Sequence, residues 1–213
     1  MVILPLTLLI LAGLSMPLVL RTPMHHQRTQ AISNAKQVGL AMLEFEQDYG
    51  AFPSDSTVAE VERVTGSKLD FRDGSSNAMF RQLIAYGVGS EDIFFSSHPE
   101  GGKKRPDGVM TGPRALSEGE VGFSYLHGLD SSMDPDTPLL MTPMKSSGSG
   151  RFWNSSQYGG KAVILRVDNS AEASLIRAGD DQVTIGGGVT LLDRTRPCFG
   201  GKLPDVRHPE FKP

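Results

Sequence analysis

The chain has 213 residues, 38% of them hydrophobic, and a formal net charge of −3 with both signs mixed along its length. This excludes wholesale disorder, gives a nucleic-acid partner no basic stripe to bind, and leaves room for one ordinary domain plus an extension. Gly (24) and Pro (14) predict many turns and short strands, and the single Cys198 allows no disulfide within these residues.

The first element is "VILPLTLLILAGLSMPLVL", Val2 to Leu20, which carries no charge. As a helix it would span about 28 Å, close to the thickness of a bilayer core. Pro5 and Pro17 sit near its ends, where a helix in lipid tolerates them. The expectation is a transmembrane anchor over residues 1–22, with Leu9, Ile10, Leu11 and Leu14 carrying anchoring and assembly. The alternatives are a removed signal peptide and a buried helix; the run is long for a signal, and no Lys or Arg precedes it. Arg21, Arg28 and Lys36 follow it, which by the positive-inside rule alone places the rest of the chain in the cytoplasm.

An amphipathic helix is predicted over 23–50. Ile32, Ala35, Gly39, Met42, Phe45 and Tyr49 recur at steps of three and four, with Leu40 and Leu43 widening that face. Gln37, Glu44, Gln47 and Asp48 lie largely opposite. Gly50 suits the left-handed position that ends a helix, and Pro53 blocks a restart. Met42, Phe45 and Tyr49 are the residues expected to pack the helix on a globular head, 51–198.

The stretch "NAKQVGLAMLEFEQDYGAFPSD", Asn34 to Asp55, resembles the end of the long helix in type IV pilin-like proteins, above all the pseudopilins of type II secretion. Phe45, Asp48, Gly50 and Pro53 stand where the family pattern "A-x-x-x-x-Y-x-x-D-x-G-x-Y-P" has its aromatic, Asp, Gly and Pro, and Phe52 stands for the final aromatic. "SSNAMFRQLIAYGVGSEDIFF", Ser75 to Phe95, looks like part of a structural head in one variant of such proteins. The resemblance implies a pilin-like roll and a structural subunit of a bacterial envelope assembly. It also implies a single pass through the inner membrane with the head in the periplasm, and self-association or pairing with other pilin-like subunits. The family's processing site is not recognisable: no basic leader precedes Gly13, and no acidic residue stands five places after it. A start upstream of Met1 would account for this. The alternative is a single-pass or secreted envelope binding protein with a pilin-like head that joins no filament.

Further on, Thr57 and Glu60 have capping-box spacing ahead of Val58, Val61 and Val64, and Gly66 ends that short helix. Asn77 is placed to cap a second helix ending at Gly87, and 91–95 to form an edge strand. Residues 97–119 read as a long surface loop. Strands follow at 122–128 and 138–142, then a hairpin with strands 162–167 and 172–176 and a turn at Asp168-Asn169-Ser170, then 182–188. Residues 199–213 read as a tail. The expected fold class is α+β: a long N-terminal helix, transmembrane plus amphipathic, packed on a small antiparallel sheet.

Catalytic patterns are absent from the sequence: no Gly-x-Ser-x-Gly, His-Glu-x-x-His or phosphate loop. The five His are scattered, and Cys198 has no base near it in sequence. The expectation is a non-enzyme without cofactor. The one candidate metal set is Asp130, Asp134 and Asp136 in "GLDSSMDPDTP", an oxygen-rich loop of the kind calcium prefers, with an acidic turn beside proline as the plainer reading.

Overall fold

Apolar side chains at three- and four-residue spacing need a surface to bury against, and the second half of the chain supplies it. A computed structural model describes residues 3–145 and 152–210, with side chains from 25 onward. The helix α1 (Ile3–Tyr49) turns Ala31, Ala35, Val38, Met42 and Phe45 into the core. Gly50 closes it at φ 75°, its amide donating to the Glu46 carbonyl at 2.7 Å. Next, α2 (Val58–Thr65) buries Val58 and Val61 and ends on Gly66 in the left-handed region. The third helix, α3 (Ser76–Tyr86), is buried along most of its length, from Ser76 to Ile84.

Two caps differ from expectation. Thr57 has helical φ and ψ and makes no side-chain cap. Its hydroxyl is buried instead, donating between the Ser54 carbonyl and Gln82 Oε1 (2.6 Å), a better partner than an exposed amide of the first turn. Ser75, not Asn77, caps α3 by accepting from the Ala78 amide at 3.1 Å. Asn77 lies inside the helix and crosslinks it: Nδ2 donates to the Leu116 carbonyl, and Oδ1 accepts from the Glu210 amide.

The strands are β1 (Ser124–Leu126), β2 (Pro138–Met141), β3 (Lys161–Arg166), β4 (Ala171–Arg177), β5 (Gln182–Val183) and β6 (Val206–Arg207). They form one antiparallel sheet in the order β5-β4-β3-β2-β1-β6, curled into a half-barrel. Strand periodicity divides their side chains between two cores. Val163 and Leu165 join the α1 core with Tyr125, while Ala162 and Ile164 join a second core with Leu126, Met141, Trp153, Leu191 and Phe199. A register shift between Pro138 and Leu140 inserts one residue in β2, which puts the consecutive Leu139 and Leu140 into the same core.

The expected fold class is corrected by this architecture. Among the described residues there are three α-helices and a six-stranded curled sheet, not a transmembrane-plus-amphipathic helix on a small sheet in a pilin-like roll. The physical reason is the second apolar face: strands buried on both sides recruit the C-terminal segment as cover. Among the described residues no helix is long and apolar enough to cross a membrane. That finding overturns the expected transmembrane helix and the single-pass inner-membrane location with a periplasmic head. From residue 25 on, α1 is instead amphipathic, with Ser33, Lys36, Gln37, Glu44, Gln47 and Asp48 exposed. The side chains of Leu9, Ile10, Leu11 and Leu14 lie outside the described residues.

Two further segments differ. Glu91–Phe94 is a turn of 3-10 helix, not an edge strand. The segment read as a tail contributes β6 to the sheet edge and Phe199 to the second core.

Candidate interaction surface

The seam between α1 and the head joins the three packing residues expected from sequence. Met42 and Phe45 are fully buried, and Tyr49 is half-buried with its ring stacked on Phe45 at 4.3 Å. Tyr86 of α3 stands edge-on to both rings, and its hydroxyl donates to Asp48 Oδ2 at 2.8 Å. Further along, Asn34 Nδ2 donates to the carbonyls of Asp92 and Phe95, both at 2.8 Å. Arg28 reaches the Tyr158 carbonyl. The helix is thus fastened to the head at several levels. Its outer face stays in solvent, including Leu40 at 52% exposure.

Asp130, Asp134 and Asp136 are not assembled as a ligand set. Asp130 Oδ1 accepts from the amide and hydroxyl of Ser132, and Asp134 Oδ1 accepts from the Asp136 amide at 2.9 Å. Asp136 lies 3.8 Å from the Arg166 guanidinium. These are turn-forming roles for short carboxylates. Among the described residues no group of three or more His, Cys, Asp or Glu could hold a metal ion. Asp134 and Asp136 do line an open cavity of about 280 Å³ beside Arg196 and Cys198. Arg196 is committed there, donating to the carbonyls of Leu191 (2.7 Å) and Asp136 (3.2 Å).

Sequence reasoning missed the buried ionisable groups. Glu91 accepts from the Leu116 amide at 2.6 Å and the Gly108 amide at 3.0 Å. Burial pushes its carboxyl above the ordinary range, against the pull of those two amides. Glu120, fully buried, accepts from Lys104 Nζ and the Ser117 amide, both at 2.7 Å. Together they hold the 104–120 loop down. Arg81 projects from α3 to the carbonyls of Ala115, Leu116 and Asp70, and to the carboxylates of Asp73 (2.5 Å) and Glu210 (2.6 Å). Burial and a hydrogen bond with Asp73 raise Glu210 to about 7. The Asp73 carboxyl stays low because hydrogen bonds from Glu210, Ser75 and Arg81 outweigh its burial. Burial also drives His98 down to about 4 and Tyr158 up to about 12; the Tyr158 hydroxyl sits between Ser96 Oγ (2.6 Å) and the Ser97 carbonyl. None of these groups falls in a motif, so only the fold could bring them together.

Near the sheet edge, His127 accepts from the Asp55 amide on Nε2 at 3.2 Å and turns Nδ1 toward Asp205 at 3.3 Å. Arg207 joins both carboxylates beside an open cleft of about 390 Å³. Both imidazole nitrogens are therefore engaged. The cluster ties the turn after α1 to β1 and β6.

The opposite end of the sheet is less finished. β5 is in register only with Ile176 and Arg177, so the outer edge of β4 over residues 171–175 has no strand beside it among the described residues. Leu175, on that strand, is 69% exposed. Fold and surface together define a class: helices seated on one face of a curled antiparallel sheet, its ionisable groups used as internal ties, with one strand edge open. Compared with family models, curated proteins and solved structures, the chain finds no match.

Proposed function

We propose that the chain is a non-enzymatic, pilin-like structural subunit that acts by associating with copies of itself or with related subunits. The observation that carries this reading is the commitment of the buried ionisable groups. Glu91, Glu120 and Arg81 direct their polar atoms at loop backbone and at opposite charges, which is what a rigid head requires and leaves little chemistry for a substrate. The seam at Met42, Phe45 and Tyr49, and the likeness of Asn34 to Asp55 to a pilin helix end, support a helix and head that move as one body. Such a subunit transmits contacts and has no need of a cofactor.

The test is chemical cross-linking of the full chain in its own cells, read by mass spectrometry, alongside sedimentation of the purified chain. The expected result is cross-links between copies or to related subunits, with mass rising with concentration. A chain that is monomeric at every concentration and cross-links to no copy or relative overturns the reading.

A further inference from the structure

The open edge of β4 has a geometry that selects its partner. The Ile176 amide donates to the Gly160 carbonyl, and the Arg166 amide to the Ser170 carbonyl. In an antiparallel ladder these bonds alternate, so the even-numbered residues of β4 point their backbone groups at β3. Ala171, Ala173 and Leu175 therefore point theirs outward. Such an edge is a template for another strand. Over Ala171-Glu172-Ala173-Ser174-Leu175 there is no proline, no lysine and no bulge, and the one charge, Glu172, is already paired with Arg166.

We propose that β4 pairs antiparallel with β4 of a second copy of this chain, about a two-fold axis at Ala173, joining two sheets into one. This deepens the subunit reading above and rests on it. The sequence of the strand picks this register. Centred on Ala173, Ala171 faces Leu175 of the second copy on the α1 side, which covers the exposed leucine twice. On the other side Glu172 faces the partner copy's serine at 174, a hydrogen-bonding pair, since Ser174 Oγ already donates to Glu172 Oε1 at 2.9 Å within one chain. Each Glu172 keeps its own counter-ion, Arg166, at 2.5 Å. Shifting the centre to Glu172 would set two carboxylates directly opposite, and shifting it to Ser174 would require Ile176, which β5 already occupies. At the axis the small Ala173 side chains meet without crowding. A foreign extended segment could use the same edge, but it would lack this reciprocal match.

The experiment is sedimentation of the full chain and of Ala173→Pro. The Ala173 amide points away from β3, so proline there removes an outward donor and leaves the β3–β4 ladder intact. A five-residue edge makes a weak dimer, so the chain is examined up to about 1 mM. The expected result is a wild-type dimer and an Ala173→Pro monomer with unchanged circular dichroism. Leu175→Glu is the second variant, read where Ala173→Pro does not fold; at an exposed site opposite Lys161 it is tolerated by the fold, and it should weaken dimerisation about tenfold or more. A wild type that associates equally well with either folded variant overturns the β4 edge while the subunit reading stands. A wild type that never associates overturns both.

Discussion

His98 is a buried base whose neighbours favour its neutral form. It is 4% exposed, Nδ1 accepts from the Glu100 amide at 3.2 Å, and burial holds its titration near 4. The unfolded chain takes up this proton near the ordinary value of 6.5. Between those values the unfolded state binds more protons than the folded one, so stability is fully present above about pH 6.5 and is lost as pH falls toward 4. The full span corresponds to about 3 kcal/mol. Glu210 works in the other direction: its raised value favours the protonated folded state, so its contribution is lost as pH rises through about 7. His98→Asn keeps an acceptor near the Nδ1 position and cannot titrate. Urea unfolding of this variant should show a flatter acid limb between pH 6.5 and 4 than wild type. Identical limbs would mean that His98 takes up its proton equally in both states.

The β3–β4 turn lies directly on α1 at Gly39. Gly39 stands within the apolar stripe of the helix, where glycine ordinarily weakens it, and the structure gives it a use. A Cβ there would sit 2.8 Å from Leu165 Cδ2 and would collide with the Asn169 side-chain oxygen. Asn169 occupies the turn at φ 63°, and its Oδ1 is buried without a partner. Alanine would ordinarily help a helix by about 1 kcal/mol over glycine, but here overcrowding wins, and Gly39→Ala should cost about 1–3 kcal/mol. Asn169→Gly suits the left-handed backbone and removes the colliding oxygen, so alone it should change stability by about 0.5 kcal/mol or less. The double variant should recover most of the loss, and the remainder reports on Leu165. Strictly additive losses would show that the turn withdraws from the helix at no cost. This contact also marks the limit of what the sequence carries. The stripe from Ile32 to Tyr49, the stops at Gly50, Gly66 and Gly87, and the turn at 168–170 are legible because each depends on nearby residues. Thr57, Asn77 and the 91–95 segment were misread because distant partners decide them: Gln82, Leu116 with Glu210, and Asn34.

At the scale of the molecule the sheet is the shared wall of two cores, and the one-sided reading of the sequence followed from hydrophobic strands whose second face had no obvious cover. Its cover is the Gly- and Pro-rich end of the chain, where Leu191, Leu192 and Phe199 are spaced without period and carry no signal of an element. The same irregularity hid the ties of Arg81 and His127 to residues beyond 204, and with them most of the polar architecture. Because Ile164 and Leu165 are neighbours on one strand but belong to different cores, neither core can melt while the other keeps its wall. The single tryptophan, Trp153, is buried in the second core and reports on it alone, while amide exchange over residues 31–45 reports on the α1 side. Under increasing urea the blue-shifted emission of Trp153 and the protection of those amides should be lost at one midpoint, as a two-state unit requires. Loss of tryptophan burial at lower urea, with α1 still protected, would make the C-terminal cover a separate and weaker unit. The tie from Glu210 to Arg81 argues against that outcome, since releasing the end of the chain strips a buried guanidinium in the first core of one of its two carboxylates.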